Sequence, residues 1–408
     1  MQSLYSIPLV ILTASSACMG VFWWLGLLRI VRTSLALPTA RDGIALSERH
    51  RDHTPSVCVI IPAHNEQDHI ASLITSLAGQ DYPAMRVVLA LDRCTDGTAE
   101  RAGAAIAGDE RFEIIEIDAC PDGWAGKVHA VWRAVQHADG DAEYLLFLDA
   151  DTTLHPRCIR ATVALATRRR LDLLSLLSTL TNDRWFERLV QPGAGLELIY
   201  QFPMLRANAI GSERPFANGQ FMLFRRDAYQ RIGGHESVKG ELLEDLALAG
   251  RIASAKLSCG VLLADGMVVC GMYDSWSRFR HGWKRIYAEA ARCRVRRLQR
   301  WAMRQRIVAT VLPIAAAAHV PLAVFVGWGG FAPVWLAAAG ASVSLAALAI
   351  WLGVIVAVYR LSGVPVIYAP GYVVGGWLVA SILSEAARDL AHGTPTTWAG
   401  RTYARTSR

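Results

Sequence analysis

Asp149 and Asp151 stand one residue apart at the end of an apolar run, Tyr144-Leu145-Leu146-Phe147-Leu148. A run of that length after a helical pattern reads as a buried strand of a parallel sheet. Side chains alternate along a strand, so both carboxylates point to one side just past its carboxyl end, where open α/β sheets bind ligands. Two hard oxygen ligands in that position suit Mg²⁺ or Mn²⁺ carrying a substrate diphosphate. The pair in isolation equally describes a solvated turn, so its meaning depends on other residues. Lys127 follows Gly126 at a helix start, a place for an anion or for a surface lysine. Glu244-Asp245 opens a further helical segment, where acids either favour the dipole or do chemistry. Asp92 closes a second apolar run, and Asp96-Gly97-Thr98 is good turn and cap sequence.

The elements that must hold these residues alternate in type. Val57-Cys58-Val59-Ile60-Ile61-Pro62 is a strand, and His64-Asn65-Glu66 begins the turn into a helix. Val87-Val88-Leu89-Ala90-Leu91-Asp92 is a second strand, a third starts at Phe112, and a basic, Ala-rich helix from Lys127 leads to the Asp-x-Asp strand. Phe216-Ala217-Asn218-Gly219-Gln220-Phe221-Met222-Leu223 reads as a further strand. Strand–helix alternation demands right-handed crossovers, hence an α/β class with a doubly wound, mostly parallel sheet.

The 408 residues are 53% hydrophobic, too apolar for an ordinary soluble enzyme. Residues 6–30 are long enough to cross a hydrocarbon core of roughly 30 Å. They lack the basic start and small-residue cleavage site of a signal peptide, which predicts a retained anchor. Arg29, Arg32, Arg41, Arg49 and Arg51 follow that segment and no Lys or Arg precedes it, so the next domain is expected in the cytoplasm. Residues 183–211 mix aromatics with Arg184, Arg188 and Arg206, which suits an interfacial helix or a packed core. Residues 275–306 interleave Arg with Trp276, Trp283 and Trp301 directly before more apolar segments, which fits anionic lipid heads better than nucleic acid. The net charge of +7 follows the same distribution, so no nucleic-acid partner is expected. Eight scattered cysteines without a Cys-x-x-Cys pair read as reduced, packed thiols rather than a zinc site.

In chain order, Pro62-Ala63-His64-Asn65-Glu66, Asp92 with Asp96-Gly97-Thr98, Gly126-Lys127, Asp149-Ala150-Asp151 and Glu244-Asp245 resemble the motif series of family-2 glycosyltransferases of the GT-A fold. The resemblance implies that Pro62, Ala63 and Glu66 line a nucleotide pocket, with Asp92 and Asp96 on the nucleotide. It implies that Lys127 reaches the phosphates, and that Asp149 and Asp151 hold Mg²⁺ or Mn²⁺, Asp149 also meeting the nucleotide. Asp245 is then the catalytic base with Glu244 beside it, and Gly219 and Gln220 face the acceptor. Processive synthases and ceramide glucosyltransferases carry a Gln/Arg-x-x-Arg-Trp motif after the base. Phe279-Arg280-His281-Gly282-Trp283 keeps its Trp and loses the Arg before it, so Arg280 and Trp283 are expected on the acceptor and membrane side. Arg297-Leu298-Gln299-Arg300-Trp301 spells the motif but comes too late in the chain. The Pro62–Glu66 turn, the stretch from Gly271-Met272-Tyr273 to Trp283, Tyr359-Arg360-Leu361-Ser362 and Trp398-Ala399-Gly400-Arg401-x-Tyr403 look most like bacterial hopanoid-associated and carotenoid-type membrane lipid glycosyltransferases.

The expected organisation is a transmembrane anchor over 1–30, a linker over 31–54, a GT-A catalytic domain over 55–274 and an amphipathic interfacial region over 275–306. Transmembrane or re-entrant segments over 307–387 and a basic tail over 388–408 complete it. The expected function is a membrane-bound inverting glycosyltransferase of the inner membrane. It would move a sugar from a nucleotide-sugar donor to an isoprenoid or sphingolipid-like acceptor at the cytoplasmic face. A processive polysaccharide synthase would share the nucleotide motifs, and a catalytically silent membrane scaffold would share the apolar segments.

Overall fold

Alternating apolar side chains set the central sheet. The structure, a computed structural model, describes residues 2–49, 54–138, 140, 142–398 and 401–403. Arg51, Ala399, Gly400, Arg405 and Arg408 of the sequence expectations lie outside the described residues. Helices α1 (Gln2–Ala36) and α2 (Asp42–Glu48) precede β1 (Val57–Ala63), α3 (Ile70–Ala78), β2 (Met85–Asp92), α4 (Thr98–Ile106), β3 (Phe112–Ile117), α5 (Gly126–His137) and β4 (Tyr144–Leu148). Then come β5 (Thr152–Leu154), α6 (Cys158–Arg169), β6 (Leu173–Leu177), β7 (Thr179–Leu180), α7 (Trp185–Leu189), α8 (Gln191–Gln201), α9 (Met204–Ala207), β8 (Phe221–Arg225) and α10 (Arg226–Arg231). The rest is α11 (Glu244–Ser254), β9 (Cys259–Leu263), β10 (Val268–Cys270), α12 (Trp276–Ala290), α13 (Val295–Gln305), α14 (Leu312–Trp328), α15 (Val334–Leu361) and α16 (Tyr372–Ala391).

Seven strands form one sheet in the order β3-β2-β1-β4-β8-β6-β9. β3, β2, β1 and β4 run parallel, while β8 lies antiparallel between β4 and β6. Val57, Val59 and Ile61 of β1 join Tyr144, Leu146 and Leu148 of β4 in the core beneath α3 and α6. Cys58, Ile60, Leu145 and Phe147 join the opposite core beneath α5 and α11. Both strand faces are therefore dry, and each fully buried aliphatic side chain contributes about 1.5–3 kcal/mol.

The helix after β1 starts at Ile70, preceded as expected by a turn over residues 64–69, in which Asn65 sits at a left-handed φ of 58°. Two local expectations are corrected. Residues 216–220 are a loop, with the strand beginning at Phe221. Their backbone groups go to side chains: Asn218 N–H donates to Ser175 Oγ (2.7 Å) and Gly219 N–H to Asp245 Oδ2 (2.9 Å). The 183–211 stretch is likewise three short helices, interrupted at Val190 and at Pro203.

Among the described residues four helical stretches, Tyr5–Ala36, Val295–Trp328, Val334–Leu361 and Val366–Ala391, are long and apolar enough to cross a membrane. α1, α14 and α15 pack on one another, with Gly20 against Ala347 and Gly327 against Ala337, the small-residue contacts that let helices approach in lipid. Ser344 Oγ donates to Ser16 Oγ (2.8 Å) and lies 2.9 Å from His319 Nδ1, so one polar chain joins the three. Their outer faces are apolar, with Ile7, Val21, Phe325 and Trp335 exposed. A π-helical turn, Arg306–Val311, links α13 to α14. α16 packs chiefly on α12, α13 and that turn. Glu385 and Asp389 on α16 take Arg280 Nε (2.6 Å) and Lys284 Nζ (2.6 Å) of α12.

The seat of α16 has no room for a side chain at Gly375, where an added Cβ would lie 1.9 Å from the Leu189 carbonyl oxygen. Backbone cannot yield as a rotamer can, so Gly375→Ala should cost about 1–3 kcal/mol of overpacking. Its thermal unfolding midpoint in detergent should drop, while Gly353→Ala, whose Cβ meets nothing within 4 Å, should leave it unchanged. Equal midpoints for the two variants would contradict the close seat.

Candidate active site

In the order β3-β2-β1-β4 the chain leaves β1 in one direction for β2 and in the other for β4, so a crevice opens at the carboxyl ends of β1 and β4. Ala63, Asp92 and Asp149 stand at the ends of these adjoining strands. Asp149 continues the alternation of Leu145 and Phe147, which face α5. That is the side on which α5 begins, and Lys127 Nζ lies 2.6 Å from Asp149 Oδ1 and 2.6 Å from Glu244 Oε1. The loop before β8 closes the same group. A Cβ on Gly219 would come within 3.2 Å of Lys127 Nζ and 3.3 Å of both Asp245 and Glu244, so the loop packs closely on the charged group. Asp245 is fixed from two sides, by Gly219 N–H on Oδ2 and by Leu246 N–H on Oδ1 (2.7 Å).

One ammonium group serves several acids here, and the electrostatics follow. Burial pushes Glu66 up to about 8, with Asp151 and Asp149 adding repulsion. Burial also raises Asp149 to about 7 against the pull of Lys127, with Asp151 and Glu244 adding to the rise. Burial raises Asp151 as well, although the Cys270 thiol donates to it. For Glu244 burial acts upward, but the Lys127 charge and hydrogen bond outweigh it and hold the carboxyl below its ordinary value. Asp245 is raised to about 6 by burial and by Glu244. The acids gathered at Lys127 and Glu66 outnumber the cations beside them, and among the described residues Asp151 Oδ1 is buried without a hydrogen-bond partner. Hard carboxylate oxygens, excess negative charge and an orphaned acceptor fit a divalent cation. Among the described residues no three His, Cys, Asp or Glu side chains are grouped to hold an ion alone. Asp149 and Asp151 would therefore share it with ligand oxygens.

Pro62, Ala63, Glu66 and Asp92 line one continuous cavity of about 2180 Å³, which Asp149, Asp151 and Lys127 share. Gly219, Gln220, Glu244, Asp245 and Trp283 line it too. The Asp92 carboxylate is held by Arg93 through Nε (2.9 Å) and Nη2 (2.6 Å). Two expected members fall elsewhere. Asp96 does not line the cavity; its oxygens accept Thr98 N–H (3.1 Å), Thr98 Oγ1 (2.5 Å) and Gln67 N–H (3.3 Å), the turn chemistry of its sequence. Arg280 points to Glu385, and Arg278, His281 and Arg285 of the same helix face the cavity instead. Sequence reasoning missed Cys270, a lone thiol behind Asp151, and Asn218, whose Nδ2 donates to Leu176 O (2.8 Å) and Gln220 Oε1 (3.1 Å). Neither carries a motif that would have singled it out.

Residues 58–233 match the model of the Glycosyl transferase family 2. The chain carries a family-2 glycosyltransferase domain. It is 26% identical over 288 residues to a 4,4'-diaponeurosporenoate glycosyltransferase of Staphylococcus aureus, covering 66% of this chain and 72% of the relative. Among solved structures it is similar to the mannosyltransferase PcManGT of Pyrobaculum calidifontis in complex with GDP-Man and Mn²⁺ (TM-score 0.48, 18% identity, 96% of this chain and 99% of that one). S. aureus TarS 1-349 in complex with UDP-GlcNAc follows (TM-score 0.41, 14% identity, 86% and 97%). The protein is a glycosyltransferase with a mixed, mostly parallel sheet.

The raised carboxyls make stability depend on pH with a definite sign. Glu66 and Asp149 keep protons in the folded chain at pH values where an unfolded chain has lost them. Stability from this source is present below the ordinary carboxylate pKa and is lost as pH rises towards 8. In EDTA the unfolding midpoint should fall by roughly 2–4 °C or more between pH 5 and 8, the shift produced by about 1 kcal/mol in a domain of this size. Added Mn²⁺ should recover it at pH 8. A midpoint that climbs over that range in EDTA would contradict the charge excess.

Proposed function

We propose that this glycosyltransferase is membrane-bound and inverting, and moves a sugar from a nucleotide-sugar donor to an isoprenoid or sphingolipid-like acceptor at the cytoplasmic face of the inner membrane. The observation that carries this is one cavity shared by the acids around Lys127 and by apolar residues of α1 and α15, Trp23 and Val358 among them. The staphylococcal relative named for a carotenoid acid supports a carotenoid-type acceptor. When bound to Asp149 and Asp151, Mg²⁺ or Mn²⁺ supplies charge for the leaving diphosphate. Pro62, Ala63, Glu66 and Asp92 bound the nucleotide end. Lys127 pairs with Glu244 and lowers its proton affinity, which makes Glu244 the weaker base of the two and leaves it to hold the lysine. Asp245, raised to about 6 and oriented by two N–H groups, accepts the proton of the acceptor hydroxyl as its oxygen bonds to the anomeric carbon and the diphosphate departs. Attack opposite the leaving group inverts the anomeric centre.

A processive synthase is disfavoured by Gly282, which stands where its motif has Arg. A Cβ there would lie 2.0 Å from the Tyr273 hydroxyl, so Arg has no place. α16 supports three membrane crossings rather than four, because Glu385 and Asp389 tie it to the basic helix α12. The Arg-rich tail then shares the cytoplasmic side with the catalytic domain.

Asp245→Asn preserves shape and hydrogen bonding but cannot take the proton. It should bind nucleotide sugar and Mn²⁺ near normally and transfer at least about a hundredfold more slowly, within the roughly 10²–10⁴-fold worth of a general base. Glu244→Gln should lose less in turnover. Near-normal turnover of Asp245→Asn would reassign the base. For topology, a C-terminal tag and a cysteine in the catalytic domain should both resist impermeant reagents in intact cells. A tag labelled from outside would mean that α16 crosses.

A further inference from the structure

The cavity is larger than one substrate needs. Small-molecule sites span roughly 300–1,000 Å³, so about 2180 Å³ leaves space for a second ligand of comparable size. One face of α1 lines it from Phe22 to Thr33. At about 1.5 Å per residue the part of that wall from Phe22 to Arg29 is about 10 Å long, about a third of a roughly 30 Å hydrocarbon core. The wall changes character along its length. At Arg29 it is polar: Arg29 lies 5.3 Å from the Tyr200 ring, and Arg304 stacks on the same ring at 4.0 Å while pairing with the buried Glu197. Beyond Arg29, towards Phe22, the lining is apolar, with Trp23 of α1 and Val354 and Val358 of α15.

Two glycines keep this apolar end wide. Gly26 on α1 and Gly195 on α8 both line the cavity, and a Cβ built on either meets nothing within 4 Å.

We propose that the apolar end is a chamber for the hydrocarbon chain of an amphiphilic acceptor, held open by Gly26 and Gly195, with the head at the Arg29–Tyr200–Arg304 level facing Asp245. This rests on the lipid-acceptor reading above and adds where the chain lies and which residues set its fit. A soluble acceptor without a hydrocarbon chain would leave the chamber empty. The glycines then act as specificity residues, because side chains there would fill space rather than displace protein.

The test uses the full-length protein in phosphatidylcholine vesicles with a hexadecanol carrying a terminal diazirine. Photolysis should label α1 near Phe22–Gly26 or α15 near Val354–Val358, and unlabelled hexadecanol should compete at least tenfold better than butanol. Gly26→Phe and Gly195→Phe should each cut that labelling at least fivefold, with UDP and GDP binding measured as the check on folding. Label confined to residues outside the chamber in the wild type, or undiminished in a folded variant, overturns the chamber. Transfer of labelled sugar to vesicle lipid is scored separately. Chamber labelling without any glycolipid would sink the lipid-acceptor reading and leave the chamber standing, whereas glycolipid without chamber labelling would do the reverse.

Discussion

A single ammonium group, Lys127 Nζ, ties the end of β4 to the start of α11 through Asp149 and Glu244. Breaking a buried pair by removing one partner typically costs about 3–5 kcal/mol, because a charge is left without compensation. Here two acids would be left, and Gly219, packed against both lysine and acids, would lose its reason to approach. The same tie sets chemical roles. By holding Glu244 ionised, Lys127 makes it a fixed negative neighbour that lifts Asp245 towards neutrality, where a base is useful. Charge repulsion that weakens the fold is thereby the property that tunes the site.

Much of the fold was readable because both faces of β1, β2 and β4 are covered. Such strands appear in sequence as short unbroken apolar runs with an acid at the carboxyl end. The acids at 149, 151 and 245 were readable as types at strand and helix ends. Asp92 and Asp96 could not be separated in that way. Both follow the same strand, and only the path of the turn sends one to the cavity and the other to Thr98 and Gln67. Arg280 failed for a different reason: the face of α12 that meets the cavity is decided by where α16 docks, a contact more than a hundred residues distant in sequence. The loop at 216–220 looked like strand because its apolar pattern continues β8. Its N–H groups are claimed by Ser175 and Asp245, which no local pattern reveals.

The lower half of the molecule follows different rules. In the three-helix bundle, contacts depend on small residues and on the Ser16–Ser344–His319 chain. Around α12, α13 and α16 they depend on aromatic stacking, with Phe279 between Phe186, Trp276 and Trp283. Arg304 belongs to both regions, sitting one residue from the π-helical turn and pairing with Glu197 of the catalytic side. A continuous cavity across that boundary requires the two regions to be held in one register, and this pair together with the close seat of Gly375 supplies it.

The position of β8 bears on how the protein comes into being. The parallel half of the sheet, β3-β2-β1-β4, is complete once β4 has been synthesised, yet β4 then presents an open edge to solvent. β8 closes that edge from more than seventy residues further along the chain, and β6, which precedes it, can join the sheet only across it. The nascent chain therefore carries a wholly apolar strand with one edge unpaired while the segment between is made. Contacts of such sequence separation slow folding and lengthen the exposure. The glycosyltransferase would acquire its proton acceptor only in the last stage of assembly, after the edge has closed and α11 has swung in against Lys127.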